Sequence, residues 1–164
     1  MQSLTQSAIY LAIQITGSAD EAMDIVQTAT IKSMEHRNAP KPDAHGYKAW
    51  FFRVVHNQAI DWLRKEKKFD RAADLSSQQS DEDPVGSLEQ EQRKLLLHQA
   101  LNRLGADQRE IICLRDFHEF SYADIAQIMG IEKGTVMSRL HRARMALRGE
   151  LVEVGLFTGD DDEL

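Results

Sequence analysis

Hydrophobic positions recur at helical spacing in the C-terminal half of the chain. Ser121 is a capping residue with Asp124 three positions on, and Gly130 suits a left-handed turn, so a short helix is predicted between them. A second helix follows, and on a wheel of about 100° per residue four apolar residues share one face: Val136, Leu140, Ala143 and Leu147. This pattern predicts a helix-turn-helix, whose second helix can enter a DNA major groove.

The opposite face of that second helix is polar. It carries groups that can meet base edges and phosphates: Thr135, Ser138, His141 and Arg142. An ordinary amphipathic hairpin with a solvated basic face is the alternative interpretation. The positions of the capping, turn and apolar residues favour the helix-turn-helix.

The N-terminal half predicts three further helices. The first covers residues 8–15, and the second begins at the capping box of Ser18 and runs to about His36. Prolines and a glycine then place a loop over residues 38–46. The third helix is predicted from Tyr47 to Lys68.

The second of these helices has a mixed stripe at i, i+4, i+7 and i+11 spacing: Asp20, Asp24, Gln27 and Ile31. Such a stripe is either a solvated face or a docking surface for a partner helix, and the helical wheel leaves both interpretations open.

The third helix has two distinct faces. Its apolar face is predicted to lie in a core: Phe52, Val55, Ala59, Trp62 and Leu63. Its opposite face holds an aromatic ring, an amide and charged groups: Trp50, Arg53, Asn57, Asp61 and Arg64. Rings and guanidinium planes stack on unpaired bases, and the basic run over residues 64–68 attracts phosphates. The alternative is an exposed tryptophan beside ordinary salt bridges.

The segment between the two halves is polar and acidic, with too few large apolar groups to fold alone. We therefore predict an all-α chain of two small helical domains, residues 1–70 and 93–150. A flexible acidic linker, residues 71–92, joins them and could extend to about 65 Å. An acidic tail, residues 151–164, follows.

The net charge of −6 conceals two positive segments. Residues 32–71 contain ten basic and five acidic side chains, and residues 133–148 contain five basic and no acidic ones. Residues 74–92 and 150–164 each contain six acidic side chains and no basic ones. Because the distribution of charge matters more than its sum, the composition is compatible with nucleic-acid binding.

The single cysteine, Cys113, lies in an apolar run and is predicted to be a core thiol. One cysteine permits no intrachain disulfide, which fits a reducing cytoplasm. The sequence shows no signal peptide and no apolar run near about 18 residues, so we expect a cytoplasmic protein. It also shows no nucleotide-binding loop, metal-spaced His/Cys set or nucleophile triad, so we expect no enzyme activity, cofactor or metal.

Taken together, the two halves resemble a bacterial RNA polymerase sigma factor of the extracytoplasmic-function (ECF) group. Residues 9–68 are similar to sigma region 2, and residues 97–147 are similar to sigma region 4. The motifs that carry the resemblance are DIVQ (24–27), AWFFRVVHNQAIDWLR (49–64), LNRL (101–104), QREI (108–111) and GTVMSRLHRAR (134–144).

The resemblance implies three binding surfaces. It also implies a further partner, an inhibitory anti-sigma factor. The first surface docks on polymerase core: Asp20, Asp24, Gln27 and Ile31. The second captures the melted −10 strand, with Asn57 helping to hold a flipped base: Trp50, Arg53, Asn57, Asp61, Arg64 and Lys65. The third reads the −35 duplex: Lys133, Thr135, Ser138, Arg139, His141 and Arg142.

The chain departs from the family pattern at several positions. Thr28 stands where an acidic residue is common, and Met137 stands where a basic residue is common. The proline-rich loop over residues 38–46 also matches poorly. The alternative function is a stand-alone helix-turn-helix regulator, which would bind duplex DNA without polymerase and would give Trp50 and Asn57 no role. A third alternative, a nucleic-acid enzyme, would need clustered carboxylates or a catalytic histidine, and the sequence indicates neither.

Overall fold

The computed structural model describes residues 2–69 and 88–156, and within these ranges the chain is helical with connecting turns and no strand. The helices are α1 (Gln2–Thr16), α2 (Ala19–Glu35), α3 (Tyr47–Phe69), α4 (Leu88–Arg103), α5 (Ala106–Ile112), α6 (Tyr122–Met129) and α7 (Lys133–Glu153). A π-helical turn, Cys113–Phe117, follows α5. The predicted all-α class is confirmed.

The N-terminal module is a bundle in which α1, α2 and α3 each pack against the other two. The Glu21 N–H donates to the Ser18 hydroxyl at 3.4 Å, so Ser18 begins α2 as its capping position predicts. Gly17 precedes it with a left-handed φ of 72°. Apolar side chains fill the space between the helices: Leu11, Ala22, Val26, Phe52 and Val55.

The C-terminal module contains the predicted helix-turn-helix, formed by α6 and α7. The Asp124 N–H donates to the Ser121 hydroxyl at 3.1 Å and caps α6. Gly130 ends α6 with φ 66° and ψ 38°, the left-handed conformation predicted for the turn. The apolar face of α7 is buried at Val136, Leu140 and Ala143 and half-buried at Leu147.

Helix α4 begins at Leu88, inside the segment predicted as linker (71–92). Its acidic first turn stabilises a helix N-terminus, and Glu89 lies 3.0 Å from Arg93 one turn on. The polar composition that suggested a linker is therefore compatible with an exposed helix end. Residues 70–87 lie outside the described residues.

Helix α7 continues to Glu153 and buries Leu151, so it enters the segment predicted as an acidic tail. The rest of that tail, residues 157–164, lies outside the described residues. Between residues 2 and 69 and between 88 and 156, no helix is both long and apolar enough to cross a membrane.

Cys113 is fully buried within the C-terminal module. Burial raises the pKa of its thiol to about 12, assisted by the carboxylates of Glu110 and Asp116 and opposed by Arg109. A thiol held protonated in this way is a poor nucleophile and a poor metal ligand, which supports the predicted core role.

The two modules pack directly against each other, a feature the sequence did not predict. Helix α3 lies against α6, and α1 lies against α5. The ring centroids of Phe52 and Phe120 are 4.9 Å apart in an edge-on arrangement, and the buried side chains of both modules form one continuous apolar cluster. The structure is therefore a closed arrangement of the two modules.

Candidate nucleic-acid interface

The stripe on α2 is exposed at all four predicted positions: Asp20, Asp24, Gln27 and Ile31. Two further apolar side chains lie on the exposed part of the same helix, Met23 and Met34, the latter 72% exposed. Sequence reasoning missed both methionines, although the i, i+4, i+8 spacing of Met23, Gln27 and Ile31 is a detectable signal. Apolar groups set among carboxylates are more typical of a docking surface than of a purely solvated face.

The polar face of α3 is exposed at Arg53, Asn57, Asp61, Arg64 and Lys65, whereas Trp50 is half-buried. The Trp50 ring stacks on Tyr47, with centroids 6.1 Å apart and planes 29° apart. Tyr47 is itself buried, and its hydroxyl donates to Ser33 of α2 at 3.3 Å. Trp50 is therefore a partly exposed ring supported by Tyr47, which suits stacking on a base. Sequence reasoning missed Tyr47, although its i, i+3 spacing from Trp50 is a detectable signal; only its contact with Ser33 depends on the tertiary structure.

The charged side chains Arg64 and Asp61 of the α3 face form only a weak ion pair with each other. The Arg64 and Asp61 side chains are 3.9 Å apart and both well exposed, so their pairing contributes little. The Asn57 carbonyl oxygen lies 3.4 Å from Nδ1 of His56, a buried neighbour that orients the amide. The face can present an aromatic plane, a guanidinium and an oriented amide to an unpaired strand.

The outer face of α7 exposes Lys133, Ser138, His141 and Arg142, whereas Thr135 and Arg139 are half-buried. Two of these side chains fold back on the helix: the Ser138 hydroxyl donates to the Thr135 carbonyl at 3.1 Å, and Arg142 Nε donates to the Ser138 carbonyl at 3.4 Å. The predicted set thus forms one surface, with Thr135 and Arg139 at its edge.

A shallow cavity of about 290 Å³ lies where α7 meets α5, lined by Asp107, Gln108, Ile111, Arg139 and Arg142. It places the side chains of α5 beside the two arginines, an adjacency that sequence reasoning missed. Met137, where the resemblance expected a basic residue, is exposed on α7. The surface therefore has an apolar group next to its polar ones.

Arg144, at the end of the GTVMSRLHRAR motif (134–144), forms an ion pair with Asp116. Its guanidinium donates through Nε and Nη2 to the two carboxylate oxygens of Asp116, and this hydrogen bonding raises its pKa. Such a bidentate pair fixes α7 to the π-helical turn. This ion pair engages Arg144 within the C-terminal module.

Comparison with known proteins places both modules in one family. Residues 2–69 match the family described as Sigma-70 region 2, and residues 87–147 match Sigma-70, region 4. Among solved structures, the sigma factor RpoE of Bartonella quintana, in complex with the anti-sigma factor NepR, is similar with a TM-score of 0.75 and 31% sequence identity. That likeness covers 94% of each chain, so it includes both modules.

Two curated relatives agree with this assignment. The ECF RNA polymerase sigma factor SigL of Mycobacterium tuberculosis is 35% identical over 88% of this chain and 82% of the relative. The RNA polymerase sigma factor SigV of Bacillus subtilis is 32% identical over 89% of this chain and 85% of the relative. The chain belongs to the sigma-70 family of RNA polymerase sigma factors, within its ECF group.

Proposed function

We propose that this sigma factor divides promoter recognition between the α3 face and the α7 face while α2 holds the polymerase core. It is a non-enzymatic transcription initiation factor. It acts on RNA polymerase and promoter DNA in the cytoplasm. The observation that carries the proposal is the exposed α3 face, where a supported Trp50 ring lies beside Arg53 and Asn57. A stand-alone regulator that binds only duplex DNA would not require a face that contacts unpaired bases.

Capture of the melted −10 strand is assigned to Trp50, Arg53, Asn57, Asp61, Arg64 and Lys65. The exposed part of the Trp50 ring can stack on an unpaired base, an interaction worth about 1–3 kcal/mol. The Asn57 amide, oriented by His56, can hydrogen-bond a base edge. Both contacts are available only after the duplex has opened.

Recognition of the −35 duplex is assigned to Lys133, Thr135, Ser138, Arg139, His141 and Arg142. Lys133 begins α7, at the end of a recognition helix that usually approaches the base edges. Folded-back Ser138 and Arg142 can release their weak, exposed contacts at small cost when DNA offers better acceptors.

Core docking is assigned to Asp20, Asp24, Gln27 and Ile31, extended by Met23 and Met34. Carboxylates and exposed apolar groups together suit a partner helix with basic and apolar side chains. The likeness to a sigma factor in complex with an anti-sigma factor supports an anti-sigma factor as a further partner.

The test is run-off transcription with bacterial core polymerase, with and without the protein. Trp50→Ala and Asn57→Ala should retain core binding and −35 duplex binding but reduce open-complex formation. A template already mismatched at the −10 element should show a smaller defect if melting is the affected step. Asn102→Ala, which removes an exposed amide from α4, is the matched control and should behave as wild type. Wild-type open-complex yield from both variants would falsify the strand-capture role.

A further inference from the structure

The N-terminal half of α7 exposes one apolar side chain, Met137, on its outer surface. This side chain is 55% exposed, although the helix buries a separate apolar stripe against its own module. The resemblance to sigma region 4 predicts a basic residue at this position. Single exposed apolar side chains are common on protein surfaces, so it is the surroundings of Met137, more than its exposure, that carry information.

Met137 lies in a row of side chains at i, i+4 spacing along α7. Lys133 lies one turn before it and His141 one turn after it, each about 6 Å away along the axis and about 40° away around it. All three side chains are exposed. An ammonium and an imidazole can bind phosphates or base edges, so Met137 is the apolar centre of a row that otherwise has the chemistry of DNA recognition.

The space beside Met137 is open to a base pair. Gly134 lies three positions before it, on the neighbouring part of the helix surface. A Cβ placed at Gly134 would meet no atom of the described structure within 4 Å outside its own stretch of helix. A base edge can therefore approach the backbone at Gly134 closely and reach the thioether of Met137.

The half of α7 that carries Met137 is also the half that is free to enter a groove. Farther along the helix, Arg144 is hydrogen-bonded to Asp116, and Glu150 lies 3.6 Å from Arg103 of α4. These contacts fix the C-terminal half of α7 to its module. Recognition helices contact base edges mainly through their N-terminal residues, and Met137 is the fifth residue of α7.

The chemistry of the major groove indicates what an apolar side chain can recognise there. Guanine, cytosine and adenine present only hydrogen-bond donors and acceptors, whereas thymine also presents its 5-methyl group. Methionine has no donor and only a weak acceptor, and its flexible thioether adapts to small apolar surfaces. A basic side chain at this position would instead favour guanine or a phosphate.

We propose that Met137 is a specificity-determining residue that contacts the 5-methyl group of a thymine in the −35 element, between the contacts of Lys133 and His141. The inference rests on the proposed function, because it requires α7 to enter the major groove at −35. Uracil differs from thymine only by lacking this methyl group. Removing one methyl group from an apolar contact should weaken binding about fourfold.

The test uses holoenzyme assembled from the full chain and bacterial core polymerase. The wild type first selects its preferred duplex from a pool with a randomised −35 segment. Each thymine of that segment is then replaced by deoxyuridine, and binding is titrated. One replacement should weaken wild-type binding about fourfold, whereas Met137→Ala should bind the thymine and uracil duplexes equally. Met137→Leu keeps an apolar side chain and should retain the preference.

Met145→Ala is the matched control. Met145 is also 55% exposed on α7, about two turns beyond Met137, and its replacement should leave the thymine preference at the wild-type value. Met137→Arg provides a gain-of-contact variant. It should shift the preference at the same position from thymine toward guanine, or steepen the salt dependence of binding by about 0.9 in log–log slope if the guanidinium takes a phosphate.

The possible results separate this inference from the proposed function. A selected −35 sequence that shows no methyl effect would overturn the role of Met137 and leave −35 recognition standing. An unchanged methyl effect in Met137→Ala would overturn it equally, because another residue would then contact the methyl group. A wild-type holoenzyme that selects no −35 sequence would refute the −35 assignment of α7 itself, and this inference with it.

Discussion

Acid is expected to destabilise the closed fold through His118, and replacing this residue with phenylalanine should remove the effect. The imidazole is buried edge-on to Phe52, with ring centroids 5.1 Å apart. Burial, with the Lys48 ammonium adding to it, lowers the pKa of His118 from 6.5 to about 4. The folded protein therefore keeps His118 neutral at pH values where the unfolded chain has already bound a proton.

The direction and magnitude of the change in stability with pH follow from this difference in proton binding. Between about pH 6.5 and pH 4 the unfolded state binds more protons at this site, so stability falls as pH falls, by about 1.36 kcal/mol per unit. The loss from His118 between pH 7 and pH 5 is thus about 2 kcal/mol. His56 acts in the opposite sense, because its raised pKa contributes stability that is lost as pH rises through the raised value.

Urea unfolding followed by circular dichroism at pH 7 and pH 5 measures the effect. His118→Phe keeps an aromatic ring beside Phe52 and Phe120 and carries no titratable proton, so its free energy of unfolding should lose about 2 kcal/mol less than that of wild type. His98→Gln, which removes an exposed imidazole from α4, is the control and should follow wild type. Parallel pH profiles for wild type and His118→Phe would refute the assignment of acid sensitivity to His118.

Three further predictions concern single surfaces. Arg142→Ala should cost about 1–3 kcal/mol of binding to the preferred −35 sequence if it makes a bidentate base contact; an equal loss on all duplexes, measured by titration, would make it a phosphate contact instead. Ser121→Ala should lower the free energy of unfolding by about 1 kcal/mol, since it removes the α6 cap, and an unchanged urea midpoint would contradict this. The double variant Asp24→Ala with Gln27→Ala should weaken binding to polymerase core at native helicity, and undiminished co-purification with core would exclude α2 as the docking surface.

Local features of the fold were predictable from the sequence because they depend on residues close together in the chain. Ser18 and Ser121 cap helices through N–H groups three positions away, and Gly130 takes a backbone conformation that its own chemistry permits. Helical periodicity likewise separated buried from exposed faces on α3 and α7. The candidate surfaces were predictable for the same reason, apart from the partial burial of Trp50, Thr135 and Arg139.

Contacts between distant residues were decided only by the tertiary structure. A helical wheel places Phe52 on an apolar face but cannot say that Phe120 of the other module covers it. The buried pairing of His56 with Glu110 joins residues 54 positions apart, and nothing in either local sequence distinguishes it from a solvated charge. The sequence by itself determined which helices form and which faces they expose, because those properties depend on short-range hydrogen bonding and periodicity. How the two modules pack against each other depends on the complementary shapes of their surfaces and on the desolvation of the groups between them. Both are defined only once the whole chain has folded.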